Sequence, residues 1–150
     1  MAELQLELAC EVEEVPLDLD LLQRELLEGA RLAGFDGGVL SVALVDDARM
    51  AELHETYMGI EGPTDVLSFP LADPAGPLPD GAATGEVIIS VETAARNAAD
   101  RGAALRVEVL LYGVHGLLHL MGLSDLDPEA RLRMEAEERR ILEALGHQRP

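Results

Sequence analysis

The sequence predicts an α+β domain in which a small mixed sheet of four strands is packed with about five helices. The first observation is order, because strand patterns come early in the chain and helical patterns gather late. The second is composition, since 48% of the residues are hydrophobic and 27% are charged, which supplies a core and argues against disorder. The length of 150 residues predicts that residues 1–150 form one domain.

The first three elements are predicted to be a strand, a helix and a strand. Leucines alternate with polar residues over residues 4–8, which is the spacing of a half-buried strand. A helix then runs from a cap at Asp18 or Asp20 to about Arg31, because leucines recur on one of its faces. Residues 39–45 are rich in β-branched side chains and predict the second strand.

A short helix and a short strand are predicted next. Asp46 and Asp47 precede a helical pattern over residues 48–57, and aspartate is a favoured residue at a helix start. A turn at Pro63 then leads into a strand over residues 66–69. This helix and strand complete the part of the chain that precedes the most irregular segment.

Residues 71–84 are rich in proline and glycine and predict a loop within the domain, because too little chain follows for a second core. Residues 87–89 are apolar and predict the last, buried strand. Gly102 separates the first two of the helical patterns that follow, and Pro128 marks the start of the third. The three helices predicted there span about residues 90–100, 104–121 and 127–145.

One helical segment carries the residues that predict chemistry. His115 and His119 are four residues apart, so both imidazoles project from one face of the helix, as two ligands of one metal ion do. Gly122 can end this helix through a left-handed residue and let Asp125 approach the same ion. Two histidines and one carboxylate leave a position for water, which is typical of catalytic zinc.

Two other interpretations of this segment stay open from the residues alone. Histidines at this spacing also occur on helices that bind no metal, although on an apolar helix each imidazole needs a hydrogen-bond partner. A small metallopeptidase also places two histidines on one helix, with a glutamate directly after the first as general base. That position is Gly116 here, which weighs against peptide hydrolysis.

Three motifs, taken together and in this order, resemble those of the YbeY family. They are Tyr57 followed by PTDVLSFP at residues 63–70, GEVIIS at residues 85–90, and HGLLHLMG at residues 115–122. The family comprises ribosomal RNA maturation factors that act as single-strand endoribonucleases. The resemblance covers roughly residues 40–126, and the short final helix also fits the family.

The resemblance implies a zinc-bearing α+β fold that holds one Zn²⁺ ion and cleaves single-stranded RNA. It implies a role in maturation of small-subunit ribosomal RNA and in ribosome quality control, with the small ribosomal subunit and its assembly factors as partners. In such an enzyme a bound zinc would supply a Lewis acid for a phosphate oxygen and for a water, or alternatively an RNA 2′-hydroxyl, that attacks phosphorus. Two alternatives stay open, a non-catalytic assembly factor with a structural zinc and the small metallopeptidase.

The chain departs from the family pattern at several positions of the site, among them Ser124, where the family usually has an acid. The third ligand, usually His, is Asp125, which still ligates zinc but cancels part of its charge, so we expect a weaker Lewis acid. Met58 replaces an arginine that is thought to steady the charged phosphorane, and His54 replaces an asparagine. The arginines that are candidates to contact RNA instead are Arg49, Arg96 and Arg101.

Four further residues are expected to support the site without reacting. Thr64 and Asp65 precede a strand and suit a turn, whereas Ser68 lies in an apolar strand where its hydroxyl needs a partner. His54 is interpreted either as a surrogate phosphate contact or as a half-exposed helix residue. The acidic residues interpreted as a solvated face of the last helix are Glu135, Glu137 and Glu138.

The formal net charge is −18, and all 11 basic residues are arginines. Because affinity for nucleic acid comes from cations that neutralise phosphates, this balance predicts weak, salt-sensitive binding to free RNA. Productive binding is then expected on the ribosome or with a partner protein. A single cysteine and an acidic N-terminal segment unlike a signal peptide predict a cytoplasmic protein with no membrane attachment.

Overall fold

The α+β architecture predicted from the sequence is confirmed. The structure, a computed structural model, describes residues 3–59, 62, 64–70 and 82–150, and these contain four strands and five helices. In chain order the elements are β1 Gln5–Cys10, α1 Leu19–Ala33, β2 Gly37–Val45, α2 Asp47–Met58, β3 Val66–Pro70, β4 Ala82–Ser90, α3 Val91–Arg101, α4 Leu105–Leu120 and α5 Pro128–Ala144.

The sheet has the strand order β1-β2-β4-β3 within the described residues. Strands β1, β2 and β4 run parallel, which requires helical crossovers, and β3 lies antiparallel to β4 at the edge. The register places Leu44 beside Ile89, and Ile89 beside Val66. This row of side chains lies on the face of the sheet that carries the main core.

Two apolar layers flank the sheet. On one face, buried strand residues pack against α1 and α4, α5 packs on these two helices, and this layer forms the larger part of the core. On the other face, Met50 of α2 packs against Val45, Leu67 and Ile88. The alternation of strand side chains between faces therefore gives each layer its own set of residues.

Helix α4 is the central helix of the domain. It contacts α1, α3, α5, β3 and β4, so nearly every side chain in its middle is buried. A helix enclosed on all sides is apolar around its whole circumference, which its sequence shows. Within the described residues, no one helix combines the length and apolarity needed to cross a membrane, although α3 and α4 do so jointly as a pair bent by 118°.

The helix starts follow the aspartate and serine caps expected from the sequence. Of the two aspartates predicted as possible caps of α1, Asp18 is the cap. Asp20 lies in the first turn, where its negative charge interacts favourably with the helix dipole. Helix α4 begins after Ala104 with no side-chain cap. The side chains that accept a hydrogen bond from the backbone three residues ahead are Asp18, Asp46, Ser90 and Asp127.

Strand β4 is longer than predicted, since it begins at Ala82. Residues 82–84, assigned to a loop from their composition, pair with residues 37–39 of β2. The hydrogen bonds of a neighbouring strand outweigh weak local preference, so composition alone misplaces this boundary. The turn at Pro63 and residues 71–81 of the predicted loop lie outside the described residues.

Candidate metal centre

The C-terminal end of α4 positions two imidazoles, and the chain then returns to them. His115 and His119 lie in the last two turns of α4, where both side chains are partly buried. After α4 the backbone turns at Gly122, whose φ of +96° lies in the left-handed region that favours glycine. The turn brings the carboxylate of Asp125 next to both histidines.

Three potential ligand atoms converge at this point. The Nε2 atoms of His115 and His119 are 3.0 Å apart, and oxygens of Asp125 lie 3.5 Å from the first and 3.7 Å from the second. Tetrahedral zinc with bonds of about 2.0–2.2 Å separates its ligand atoms by about 3.3–3.6 Å. The three side chains therefore have the spacing that one small cation requires.

Hydrogen bonds on the far side of each ring determine which nitrogen faces the cluster. His115 Nδ1 lies 3.1 Å from the Glu138 carboxylate, and His119 Nδ1 lies 3.0 Å from the carbonyl oxygen of Leu123. Both partners only accept hydrogen bonds, so each Nδ1 carries the proton. The Nε2 lone pairs then face each other and Asp125, an arrangement that a bound cation stabilises.

The electrostatic field at the cluster is negative. Burial is the largest single influence and acts to lower the pKa of His115, whereas its hydrogen bond to Glu138 acts to raise it. The negative charges of Glu138, Asp125 and Asp65 act in the same direction, so the pKa of His115 lies above its usual value. A field that favours imidazolium also favours a metal cation, which agrees with the donor set.

The histidines and Asp125 open onto a cleft of about 380 Å³, which we call the metal cleft. Ser68 Oγ donates a hydrogen bond of 3.0 Å to the carbonyl oxygen of Gly116, so β3 is tied to α4 between the two histidines. The other residues that line this cleft are Met58, Thr64, Asp65, Val66, Leu67 and Ser68.

The wall of the metal cleft is organised by Asp65. Its Oδ1 accepts a hydrogen bond of 2.8 Å from the backbone N–H of Val66 and one of 3.3 Å from the hydroxyl of Thr64. The carbonyl oxygen of Asp65 accepts from the backbone N–H of Ser90, which joins the start of β3 to the end of β4. Thr64, Asp65 and Ser68, grouped as supporting residues from the sequence, thus lie together beside the cluster.

Comparison with known proteins identifies the family. The family model described as Endoribonuclease YbeY matches residues 12–146. The chain belongs to the YbeY family. The resemblance seen in the three sequence motifs is thereby confirmed, and the family places the chain among hydrolases that act on RNA.

Individual YbeY proteins are similar along most of the chain. The Endoribonuclease YbeY of Mycolicibacterium vanbaalenii is 38% identical over 136 residues, which cover 83% of this chain and 74% of that protein. The Endoribonuclease YbeY of Moorella thermoacetica is 41% identical over 138 residues, covering 87% and 88%. The solution structure of a Thermotoga maritima protein, 24% identical, shares the fold with a TM-score of 0.60 over 94% of this chain and 91% of that one.

The position after the first histidine of the YbeY motif faces the sheet. A Cβ atom at Gly116 would lie 2.6 Å from Cγ1 of Val87 and 2.9 Å from Oγ of Ser68. A side chain there would enter β4 and β3 instead of the metal cleft, so no glutamate at this position reaches a metal-bound water. The close packing therefore excludes the metallopeptidase arrangement for this helix.

Two of the predicted RNA-contacting arginines lie away from the YbeY motif histidines. Arg49 is ion-paired within α2 at 3.2 Å, and Arg96 is ion-paired with Asp47 at 2.8 Å. The described lining of the metal cleft includes neither. His54 Nδ1 lies 2.9 Å from the carbonyl oxygen of Gly62, so its ring is tied to the segment that follows α2.

The third arginine, Arg101, lines a second cleft of about 480 Å³ that shares His115 and Asp125 with the metal cleft. Arg101 is also 3.2 Å from the carboxylate of Glu108, which is fully buried at the start of α4. Sequence reasoning missed two further arginines of this second cleft, because no local motif marks them. They are Arg131 and Arg149.

The interpretation of Glu138 as part of a solvated face is wrong, because the residue is only 3% exposed. Its carboxylate contacts His115 and Arg149. The sequence spacing does indicate that this residue is buried, because Glu138 lies three or four residues from other buried positions of α5. Those neighbouring buried positions are Met134, Ile141 and Leu142.

Proposed function

We propose that this YbeY-family chain is a zinc-dependent endoribonuclease that cuts single-stranded RNA during maturation of small-subunit ribosomal RNA. Family membership supports RNA cleavage. The observation that supports a metal site is that His115 and His119 present Nε2 to the same carboxylate of Asp125. We extend the proposal to residues 1–150 as one hydrolase domain that acts in the cytoplasm with the small ribosomal subunit and its assembly factors.

The roles of the residues follow from their positions. His115 and His119 would hold the ion through Nε2, and Asp125 would hold it through its carboxylate. When bound, zinc supplies a Lewis acid for a phosphate oxygen and lowers the pKa of a water. Thr64 and Ser68 act as supports, because their hydroxyl groups are used in hydrogen bonds that shape the wall of the cleft.

Positive charge for the RNA comes from beside the metal cleft. The Met58 side chain that lines the cleft is uncharged, so it offers no guanidinium to a phosphorane. The second cleft adjoins His115 and is lined by three arginines and four acidic residues, and two of the arginines, Arg101 and Arg149, are paired with buried glutamates. Guanidinium groups bind phosphates through paired N–H donors, so Arg131 is the arginine of this cleft most available to the RNA strand.

A second candidate function is a non-catalytic assembly factor in which zinc is structural. Met58 favours this candidate, because it removes charge stabilisation at the point where the reaction needs it. The net charge of −18 favours it too, since the chain alone attracts RNA weakly. The two candidates differ in whether the zinc-loaded protein cleaves RNA.

The test compares the wild type with His119→Ala and with the control His147→Gln. His147 pairs with Glu25, outside the metal cluster. Zinc is counted by plasma mass spectrometry, and cleavage is followed on labelled single-stranded RNA and on its duplex. We expect the wild type and His147→Gln to hold about one zinc and to cut the single strand, and His119→Ala to lose both properties.

Two results would change this conclusion. Cleavage by His119→Ala at the wild-type rate would place the activity outside the metal centre. Zinc binding by the wild type with no cleavage of either RNA would favour the assembly factor with a structural ion. A fluorogenic peptide panel in the same preparations checks the excluded metallopeptidase arrangement, and we expect no chelator-sensitive peptide turnover.

A further inference from the structure

We propose that Glu138, held by Arg149, is a positioning residue of the metal centre that fixes the ring of His115 with Nε2 directed at the ion. The inference rests on the proposed metal function and adds a residue from a different helix to it. Glu138 lies on α5, whereas the three ligand candidates belong to α4 and the turn that follows it. The contact therefore links the metal centre to the packing of α5 against α4.

Both oxygens of the Glu138 carboxylate have their own partner. Oε2 lies 3.1 Å from Nδ1 of His115. Oε1 accepts hydrogen bonds from two guanidinium nitrogens of Arg149, at 3.2 Å from Nε and 3.1 Å from Nη2. With one oxygen held by arginine, the other is fixed in place as the acceptor for the imidazole.

The charge of Glu138 is buried at a cost, which argues that it is not simply a core residue. A carboxylate taken out of water needs a nearby cation as well as hydrogen bonds. Arg149 supplies one cation, and an ion held by His115 supplies the second. A leucine would pack among Met134, Ile141 and Leu142 without this cost.

The two histidines differ in their support. His119 donates to the carbonyl oxygen of Leu123, which is neutral, whereas His115 donates to a carboxylate. A carboxylate partner raises the basicity of an imidazole more than a carbonyl does, and loss of such a partner typically weakens metal binding about 10- to 100-fold. His115 is therefore the stronger nitrogen donor, and its strength depends on Glu138.

The test measures zinc affinity by competition with a chelator, without RNA. We expect Glu138→Leu, which keeps the volume and removes the acceptor, to weaken zinc binding about 10- to 100-fold. Glu138→Gln retains one oxygen that accepts from Nδ1 but turns its NH2 group toward the N–H donors of Arg149, so it should recover only part of that loss. The matched control is Glu143→Leu on the exposed side of the same helix, which should bind zinc as the wild type does.

A second measurement needs no metal and reports directly which nitrogen of the His115 ring carries the proton. In ¹H–¹⁵N correlation spectra of metal-free wild type at pH above the pKa of His115, the proton should reside on Nδ1. Glu138→Leu should give a mixture of both tautomers, and Glu143→Leu should not. Urea unfolding of each metal-free variant shows whether the change is in the ring alone or in the whole fold.

The outcomes separate the two proposals. Wild-type zinc affinity in Glu138→Leu, or a proton on Nε2 of His115 in the wild type, overturns the positioning role while the metal centre stands. Failure of the wild type to bind zinc overturns both. If Glu138→Leu does not fold, the comparison of Glu138→Gln with the wild type decides, and a zinc affinity of Glu138→Gln equal to that of the wild type contradicts the role.

Discussion

As a proposed ligand, Asp125 would give the metal centre less positive charge than a set of three histidines would. A divalent ion with two neutral imidazoles and one carboxylate carries a net charge of about +1, so it attracts phosphate and acidifies water less strongly. Glu138 adds a second carboxylate on the far side of His115, and Arg149 opposes it. The charge that a phosphate meets therefore depends on the neighbouring arginines as much as on the ion.

At Gly116 the structure predicts a sharp steric penalty. Gly116→Ala would place Cβ 2.6 Å from Val87, so α4 must move away from the sheet, and we expect a loss of about 1–3 kcal/mol in the free energy of unfolding. Gly29→Ala in α1 is the control, because its nearest neighbours are 3.6 Å or more away. That variant should gain up to about 1 kcal/mol from helix propensity.

Urea unfolding of the metal-free proteins measures both effects of the glycine substitutions. A Gly116→Ala variant as stable as Gly29→Ala would contradict the close approach of α4 to β4. The same packing is the reason that position 116 offers no general base, so this measurement also bears on the exclusion of a peptidase arrangement.

The proximity of His115, His119 and Asp125 could be predicted from the sequence because it is local. Helical spacing places the two rings on one face, and a glycine at position 122 allows the return. Glu138 and Arg149 could not be placed in the same way, because their contacts depend on how α5 packs against α4. Their roles, like those of the ligands, stay predictions that the experiments above test.

At the scale of elements, Asp47 joins α2 to the end of β4 and the start of α3. Its carboxylate accepts hydrogen bonds from Ser90 Oγ at 2.6 Å and Thr93 Oγ1 at 2.7 Å, and it pairs with Arg96 at 2.8 Å. Arg96 is therefore a structural partner at this junction. The junction explains why the predicted RNA contact lies away from the metal cleft.

The junction predicts a pH dependence of stability. Burial acts to raise the pKa of Asp47, but the hydrogen bonds from Ser90, Arg96 and Thr93 lower it by more, so it lies below 3.8. A folded-state pKa below that of the unfolded chain gives stability that is present above the unfolded value, and it is lost as pH falls through the folded value. Asp47→Asn should therefore destabilise the protein more at pH 7 than at pH 3.

Urea unfolding at both pH values measures this difference, with exposed Asp36→Asn as the control that should show no such dependence. An equal loss of stability by Asp47→Asn at both pH values would contradict a charged role for this carboxylate. Arg96→Met should show the same sign as Asp47→Asn, because it removes the cation of the pair.

Element boundaries differ in how well sequence predicts them. The helix at residues 48–57 is observed as Asp47–Met58, because the Asp46 cap and the hydrogen bonds of a helix are all local. The strand at residues 87–89 is observed as Ala82–Ser90, because its first residues are ordered by pairing with β2. The start of a helix is thus determined by a short local segment of sequence, whereas the end of a strand depends on the distant strand that it pairs with.

For the molecule as a whole, the net charge of −18 predicts how RNA binds. Because there are few phosphate contacts and long-range repulsion, the affinity for RNA should be weak at physiological salt. That affinity should fall on the order of tenfold when the salt concentration rises from 50 to 200 mM. Fluorescence anisotropy of labelled single-stranded RNA measures this. Replacing exposed acids by glutamine at Glu7, Glu13 and Glu14 should tighten binding without touching either cleft.

Tight binding of the wild type that does not change with salt would contradict this prediction. So would an affinity of the triple variant equal to that of the wild type at low salt. If binding is weak, the partners proposed above would supply the missing affinity, because a second contact raises the effective concentration of RNA at the cleft.

The ligand candidates all lie within residues 115–125, a stretch short enough to stay together when the protein is denatured. Imidazole and carboxylate groups so close in sequence also bind zinc in a denatured chain, and that affinity is subtracted from the stabilisation of the native state. The native state adds the helix that holds both rings on one face, and it adds the contact of His115 with Glu138, which Arg149 holds in place. The rise in melting temperature on adding zinc therefore reports the difference between the native and denatured affinities, and the docking of α5 contributes to that difference.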